Sequence, residues 1–143
     1  MELSTLDYKL LSTPVNPFFP KIYKNNPENL NTISNNIVKC IYEDLNGRLW
    51  IGTSEGLNLF DRDSKNFLSY YFAVSDSGLY TNLTPNQSNL SVSAIIQDPN
   101  SEDLLVGINR NGLWRFSFDK QTISRYNIAS DENLDKKIGY IQS

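Results

Sequence analysis

Short runs in which apolar and polar residues alternate dominate the middle of this chain. Val38–Tyr42 is followed by Leu49–Gly52, Gly56–Phe60 and Asn66–Tyr71. Polar turns separate the runs. Asp44-Leu45-Asn46-Gly47 contains Asn-Gly, which takes positive φ at little cost, and Asp61–Lys65 is a second polar break. The runs are too short for helices, rich in Val, Ile, Tyr, Phe and Trp, and punctuated by Gly. That pattern predicts short antiparallel strands.

The same order of strands and turns comes twice. Ser34 to Phe60 is echoed from Ser88 to Phe116, with Gln97-Asp98 standing for Glu43-Asp44, Leu104–Gly107 for Leu49–Gly52, and Gly112-Leu113 for Gly56-Leu57. Asp44 and Asp98 are 54 positions apart, Gly52 and Gly107 55, and Gly56 and Gly112 56. These one-residue drifts fall in turns, where a β repeat tolerates insertion. A sandwich does not need the same turn signals at the same places twice, whereas stacked blades do. The expected fold is all-β: a β-propeller fragment of four-stranded antiparallel blades, about three blades' worth of chain.

The boundaries follow from the turns. Residues 1–29 end a preceding blade, with Phe18–Tyr23 as its outer strand and Lys24–Asn29 leading inward. Residues 30–73 form a first complete blade, 74–87 an extended connection, and 88–128 a second complete blade whose outer strand is Ile123–Ile128. Residues 129–143 start a following blade around Ile138–Ile141. A closed ring needs about four blades or more, so the expected partners are the remaining blades, from the same or another chain.

Composition narrows the function classes. With 39% hydrophobic and 20% charged residues the chain suits a folded domain rather than a disordered tail. A net charge of -3 without any basic run argues against nucleic acid, since Lys136-Lys137 is flanked by Asp131, Glu132 and Asp135. No window reaches the roughly 18 apolar residues of a membrane helix, and Met1-Glu2-Leu3-Ser4 has no secretory character. The sequence alone therefore predicts no membrane insertion and a cytoplasmic location.

Chemistry is sparse. The chain has no His, which removes the commonest general base at neutral pH and the usual zinc ligand. Glu43 and Asp44 are neighbours on a strand and face opposite ways, so they cannot share a substrate. Asp61 and Asp63 begin like a calcium loop, but Lys65 stands where a third oxygen ligand is wanted. Cys40, the single cysteine, reads as a small buried residue. No catalytic residue, metal or cofactor is expected.

Structural roles are expected instead. Trp50 would fill the wedge between blades, while Gly52, Gly56, Gly107 and Gly112 would serve tight turns or bulges. Asp44 and Asp98 would accept hydrogen bonds from their own turns. The candidates for ligand contact are Trp114, which stands where the first unit has Asn58, and Tyr80, Asn82 and Asn86 in the polar interval after Ser75.

Asn35 to Phe60 resembles the two-component regulator propeller repeat, carrying Glu43-Asp44, Gly47, Leu49-Trp50-Ile51-Gly52-Thr53 and Gly56-Leu57. The second unit departs from that pattern, with Leu105 in place of the Trp and Ile108 in place of the Thr. The resemblance implies a non-catalytic sensing segment in the periplasmic region of a membrane-anchored hybrid histidine kinase, responding to an oligosaccharide. The alternatives are a structural or protein-interaction propeller segment and, behind it, a propeller lyase or hydrolase.

Overall fold

A computed structural model of the chain describes residues 20–76, 78–85 and 90–126. These residues form nine strands and no helix: β1 (Val38–Glu43), β2 (Leu49–Thr53), β3 (Gly56–Phe60), β4 (Phe67–Ser75), β5 (Gly78–Asn82), β6 (Val92–Gln97), β7 (Leu104–Ile108), β8 (Gly112–Ser117) and β9 (Thr122–Arg125). Each strand pairs antiparallel with the next in sequence. The result is a five-stranded sheet in the order β1 to β5 and a four-stranded sheet in the order β6 to β9.

The repeat holds at the level of irregularities. The β1–β2 ladder is broken between Val38 and Cys40, and the β6–β7 ladder between Val92 and Ala94, the corresponding place. Left-handed backbone recurs at Lys65 and Gln121, each in the last turn of its unit. Gly56 and Gly112 open β3 and β8 with φ of 106° and 82°, a region that side chains disfavour.

The two sheets pack face to face. Trp50, Leu57, Tyr70 and Phe72 of the first meet Val92, Leu104, Val106, Ile108, Trp114 and Phe116 of the second. The Trp50 ring is fully buried, with the Phe116 and Phe118 rings edge-on at 6.0 and 5.6 Å. A second cluster lies on the opposite face of the first sheet, built from Ile33, Ile51, Phe60 and Phe67 with Tyr23 against it. Alternation along β2 explains the division, since successive side chains leave opposite faces and Trp50 and Ile51 therefore enter different clusters.

The sheets approach closely at Gly52. A methyl group there would lie 2.5 Å from the Val92 carbonyl oxygen and 2.6 Å from Cys40 Sγ. Cys40 is correspondingly desolvated, which pushes its thiol up to about 11 despite a hydrogen bond with the Gly52 backbone. Gly107, the equivalent position, has only Ala94 and Ser93 of its own sheet nearby, at 3.3 and 3.6 Å.

Two expectations need revision. The interval 74–87, read as an extended connection, instead continues β4 to Ser75 and returns as β5, with Ala73 opposite Tyr80 and Tyr71 opposite Asn82. Gly78, with φ of 128°, and the Ser75 hydroxyl bonded to the Gly78 carbonyl at 3.1 Å make the reversal that the polar composition concealed. The first blade thus has a fifth strand, and β5 lies beside β9 of the second. At the amino-terminal side, 18 and 19 lie outside the described residues and 20–23 contributes no strand to either sheet. Tyr23 instead packs edge-on against Phe60 and Phe67. The expected start of a following blade, 129–143, also lies outside the described residues.

Candidate functional site

The turn after β1 is organised by one buried carboxylate. Asp44 Oδ1 accepts the backbone N–H groups of Asn46 and Arg48, both at 2.9 Å. Its Oδ2 accepts Trp50 Nε1–H at 2.9 Å and Arg48 Nε–H at 2.6 Å. Asp98 repeats the backbone contact, accepting Asn100 N–H at 2.9 Å. Leu105 replaces the indole in that unit, and Arg115 reaches Asp98 Oδ2 instead at 2.7 Å. A buried carboxylate needs donors, and the two blades supply them from different strands.

Burial by itself would raise the Asp44 pKa. The bonds from Trp50 and Arg48 outweigh it and hold the carboxyl below its ordinary value. The stabilisation from ionised Asp44 is therefore complete above about pH 4 and is lost as pH falls through the lower native value. Asp44→Asn should be less stable than the parent at neutral pH, with the gap closing on acidification. Urea unfolding at a series of pH values checks this, and a gap that did not change with pH would refute it.

Two other acidic residues are also engaged locally. Glu43 is exposed and paired with Arg62 at 2.8 Å. Asp61 accepts from Asp63 N–H and Ser64 Oγ–H within its own turn. No group of three potential metal-ligating side chains occurs among the described residues.

An open cleft of about 250 Å³ lies against the first blade. One wall is the Asn-rich loop from Asn25 to Asn35, and Glu55, Tyr71 and Pro85 complete it. The loop holds its shape through side chain to backbone bonds. Asn25 Nδ2 donates to the Ile33 carbonyl at 2.8 Å, and Thr32 Oγ1 accepts Asn26 N–H at 2.8 Å.

Behind the cleft is a polar network. Ser34 Oγ and Thr53 Oγ1 are 2.8 Å apart, and buried Asn58 donates to Ser34 Oγ at 2.9 Å. Asn58 Oδ1 accepts from Ser34 N–H at 2.9 Å and Ser69 Oγ–H at 2.7 Å. Burial pushes the Tyr71 phenol up, Ser69 bonding opposes this, and the nearby Glu55 carboxylate adds to it. Tyr71 is thus a neutral hydrogen-bonding group at neutral pH. Satisfied networks of this kind fix side chains in place, here Ser34 and Tyr71 in the lining.

The sequence candidates fall differently around this cleft. Register places Asn82 opposite Tyr71 and Tyr80 opposite Ala73, so Tyr80 and Asn82 share the sheet face that Tyr71 presents to the cleft. Tyr80 is 45% exposed. Asn82 Oδ1 accepts from Thr84 N–H at 3.4 Å. Asn86 lies outside the described residues.

Trp114 is not suited to the ligand contact expected of it. Its ring is 4% exposed, its Nε1–H is bonded to the Asn111 carbonyl at 2.7 Å, and Arg125 stacks over it at 4.9 Å. Gly78 of β5 backs onto the ring as well, since a methyl there would be 3.5 Å from Cη2. Replacing Asn58 by Trp changes a polar hub into part of the apolar seam.

Sequence reasoning passed over Ser34, Glu55 and Tyr71. The available signal was the density of Asn from 25 to 36, together with polar Asn58 and Ser69 inside otherwise apolar strands.

Two consecutive up-and-down sheets, matched in turns and bulges and stacked face to face, are adjacent blades of a β-propeller. Residues 32–55, spanning β1 and β2, match the family model described as two component regulator propeller. No curated protein matches the chain. Among solved structures, it is similar to a chain described as the extracellular domain of a hybrid two component system from B. thetaiotaomicron, with 25% identity and a TM-score of 0.24. That likeness covers 62% of this chain and 15% of the other.

Proposed function

We propose that this chain is a ligand-sensing segment of a propeller in the periplasmic region of a membrane-anchored hybrid histidine kinase, and that its signal is an oligosaccharide. The observation that carries this reading is the cleft beside the first blade, with amides and hydroxyls in its walls, a buried phenol behind it and an exposed tyrosine on the adjoining strand. Sugars are bound by such a mixture of donors, acceptors and an aromatic surface on which a pyranose ring can rest. The family match supplies the regulatory context.

On this reading the chain binds and does not catalyse, and the remaining blades of the ring are its partners. Calorimetric titration of the chain with a panel of oligosaccharides should give saturable binding to at least one. Tyr80→Ala should weaken that binding by about five- to tenfold, the equivalent of losing one aromatic contact of about 1 kcal/mol. A flat response across the panel would defeat the proposal.

A further inference from the structure

Three asparagines in the cleft wall hold the same posture. Asn26, Asn29 and Asn35 each accept, through Oδ1, the N–H of the residue two positions on: Glu28, Asn31 and Ile37, at 3.0, 3.0 and 2.8 Å. An N–H needs an oxygen, so the backbone partner fixes which way each amide points. Their Nδ2 groups have no partner among the described residues, and each leaves its N–H donors unspent at the wall. Asn25 differs, since its Nδ2 is used on the Ile33 and Ser34 carbonyls at 2.8 and 3.3 Å.

Apolar groups are set among these donors. Leu30 is 52% exposed in the same loop, and Pro27 and Pro85 are exposed members of the lining. A single exposed leucine needs no explanation, but beside unspent amide donors it makes a two-part surface. An acetamido group matches both parts. Its carbonyl oxygen can accept two hydrogen bonds and its methyl is apolar, whereas a hydroxyl brings an oxygen and no methyl. Size adds a further constraint. About 250 Å³ is at the lower limit of ligand pockets, which run from roughly 300 to 1,000 Å³, so the cleft holds the end of a ligand rather than all of it.

We infer that the cleft takes an N-acetylated sugar unit at the end of an oligosaccharide, the asparagine amides donating to the acetamido carbonyl and Leu30 meeting the methyl. This inference rests on the sugar-sensing reading and specifies its substrate class. The test is calorimetry on the whole chain with chitotriose and cellotriose. These share one backbone linkage and differ only in carrying acetamido or hydroxyl groups at the second carbon.

Chitotriose should bind about tenfold or more tightly, with one amide–carbonyl bond and one buried methyl each contributing several-fold. Asn26→Asp, Asn29→Asp and Asn35→Asp each keep the oxygen that accepts the backbone N–H, so the turn is preserved and only the donor is lost. At least one of them should cut the preference by about threefold or more, as should Leu30→Ser. Cellotriose, or any trimer of the panel without acetamido groups, binding as tightly as chitotriose overturns the inference and leaves the sensing reading in place. A preference indifferent to all these variants overturns the assignment to this cleft. If no oligosaccharide binds, the sensing reading itself fails and the inference falls with it.

Discussion

Trp50→Ala is expected to destabilise the chain by about 3–5 kcal/mol, the range for removing a large aromatic from a packed core. The ring is fully buried between the blades and touches Tyr70 of its own sheet and Phe116 and Phe118 of the next. Alanine would open a cavity at that seam. It would also leave Asp44 Oδ2 with Arg48 as its remaining side-chain donor. Trp50→Leu, which installs the residue found at the equivalent position 105, should cost less because it refills part of the space. Urea midpoints at constant slope give the comparison. A loss under about 1 kcal/mol for Trp50→Ala would show that the blades are not held together through this ring.

Gly52→Ala should cost about 2–3 kcal/mol, and Gly107→Ala under about 1 kcal/mol, although the two glycines occupy the same place in the repeat. The added methyl at 52 would meet the Val92 carbonyl at 2.5 Å and Val92 Cγ1 at 2.9 Å, both on the neighbouring blade. A backbone atom cannot rotate aside, so the blades themselves must separate. At 107 the nearest atom is the Ala94 side chain at 3.3 Å, which needs to yield by only a few tenths of an ångström. Equal effects at the two sites would mean that glycine serves the strand and not the seam.

This contrast corrects the role expected of Gly52 and Gly107. Both Gly52 and Gly107 were expected in turns or bulges, yet they lie inside β2 and β7. The requirement at Gly52 comes from a residue 40 positions later in the chain. No local property of Leu49–Thr53 contains it. Gly56 differs in part, since its φ of 106° is a local demand that the turn signal in the sequence announced, while a methyl there would also meet the Tyr70 carbonyl oxygen at 2.4 Å.

The five-stranded form of the first sheet was hidden for a similar reason. Ser75 to Asn82 has the composition of a loop, and its strand depends on pairing with β4 and on lying beside β9. Edge strands draw their stability from such neighbours more than from propensity. Trp114 misled in the opposite direction. An unrepeated aromatic beside a turn reads as exposed, but β5 and Arg125 cover it.

The sequence by itself determined every strand except β5, their order and the blade as the repeating unit, because alternation, turn residues and a spacing of 54 to 56 are properties of short stretches. It also determined that histidine-dependent chemistry is absent. Only the tertiary structure decided where the cleft lies and which residues form it. Asn25, Glu55, Tyr71 and Pro85 come from four separate segments, and their meeting is fixed by strand register and by the buried Ser34–Asn58–Ser69 network. Local pattern sets strands; contacts between distant residues set the site.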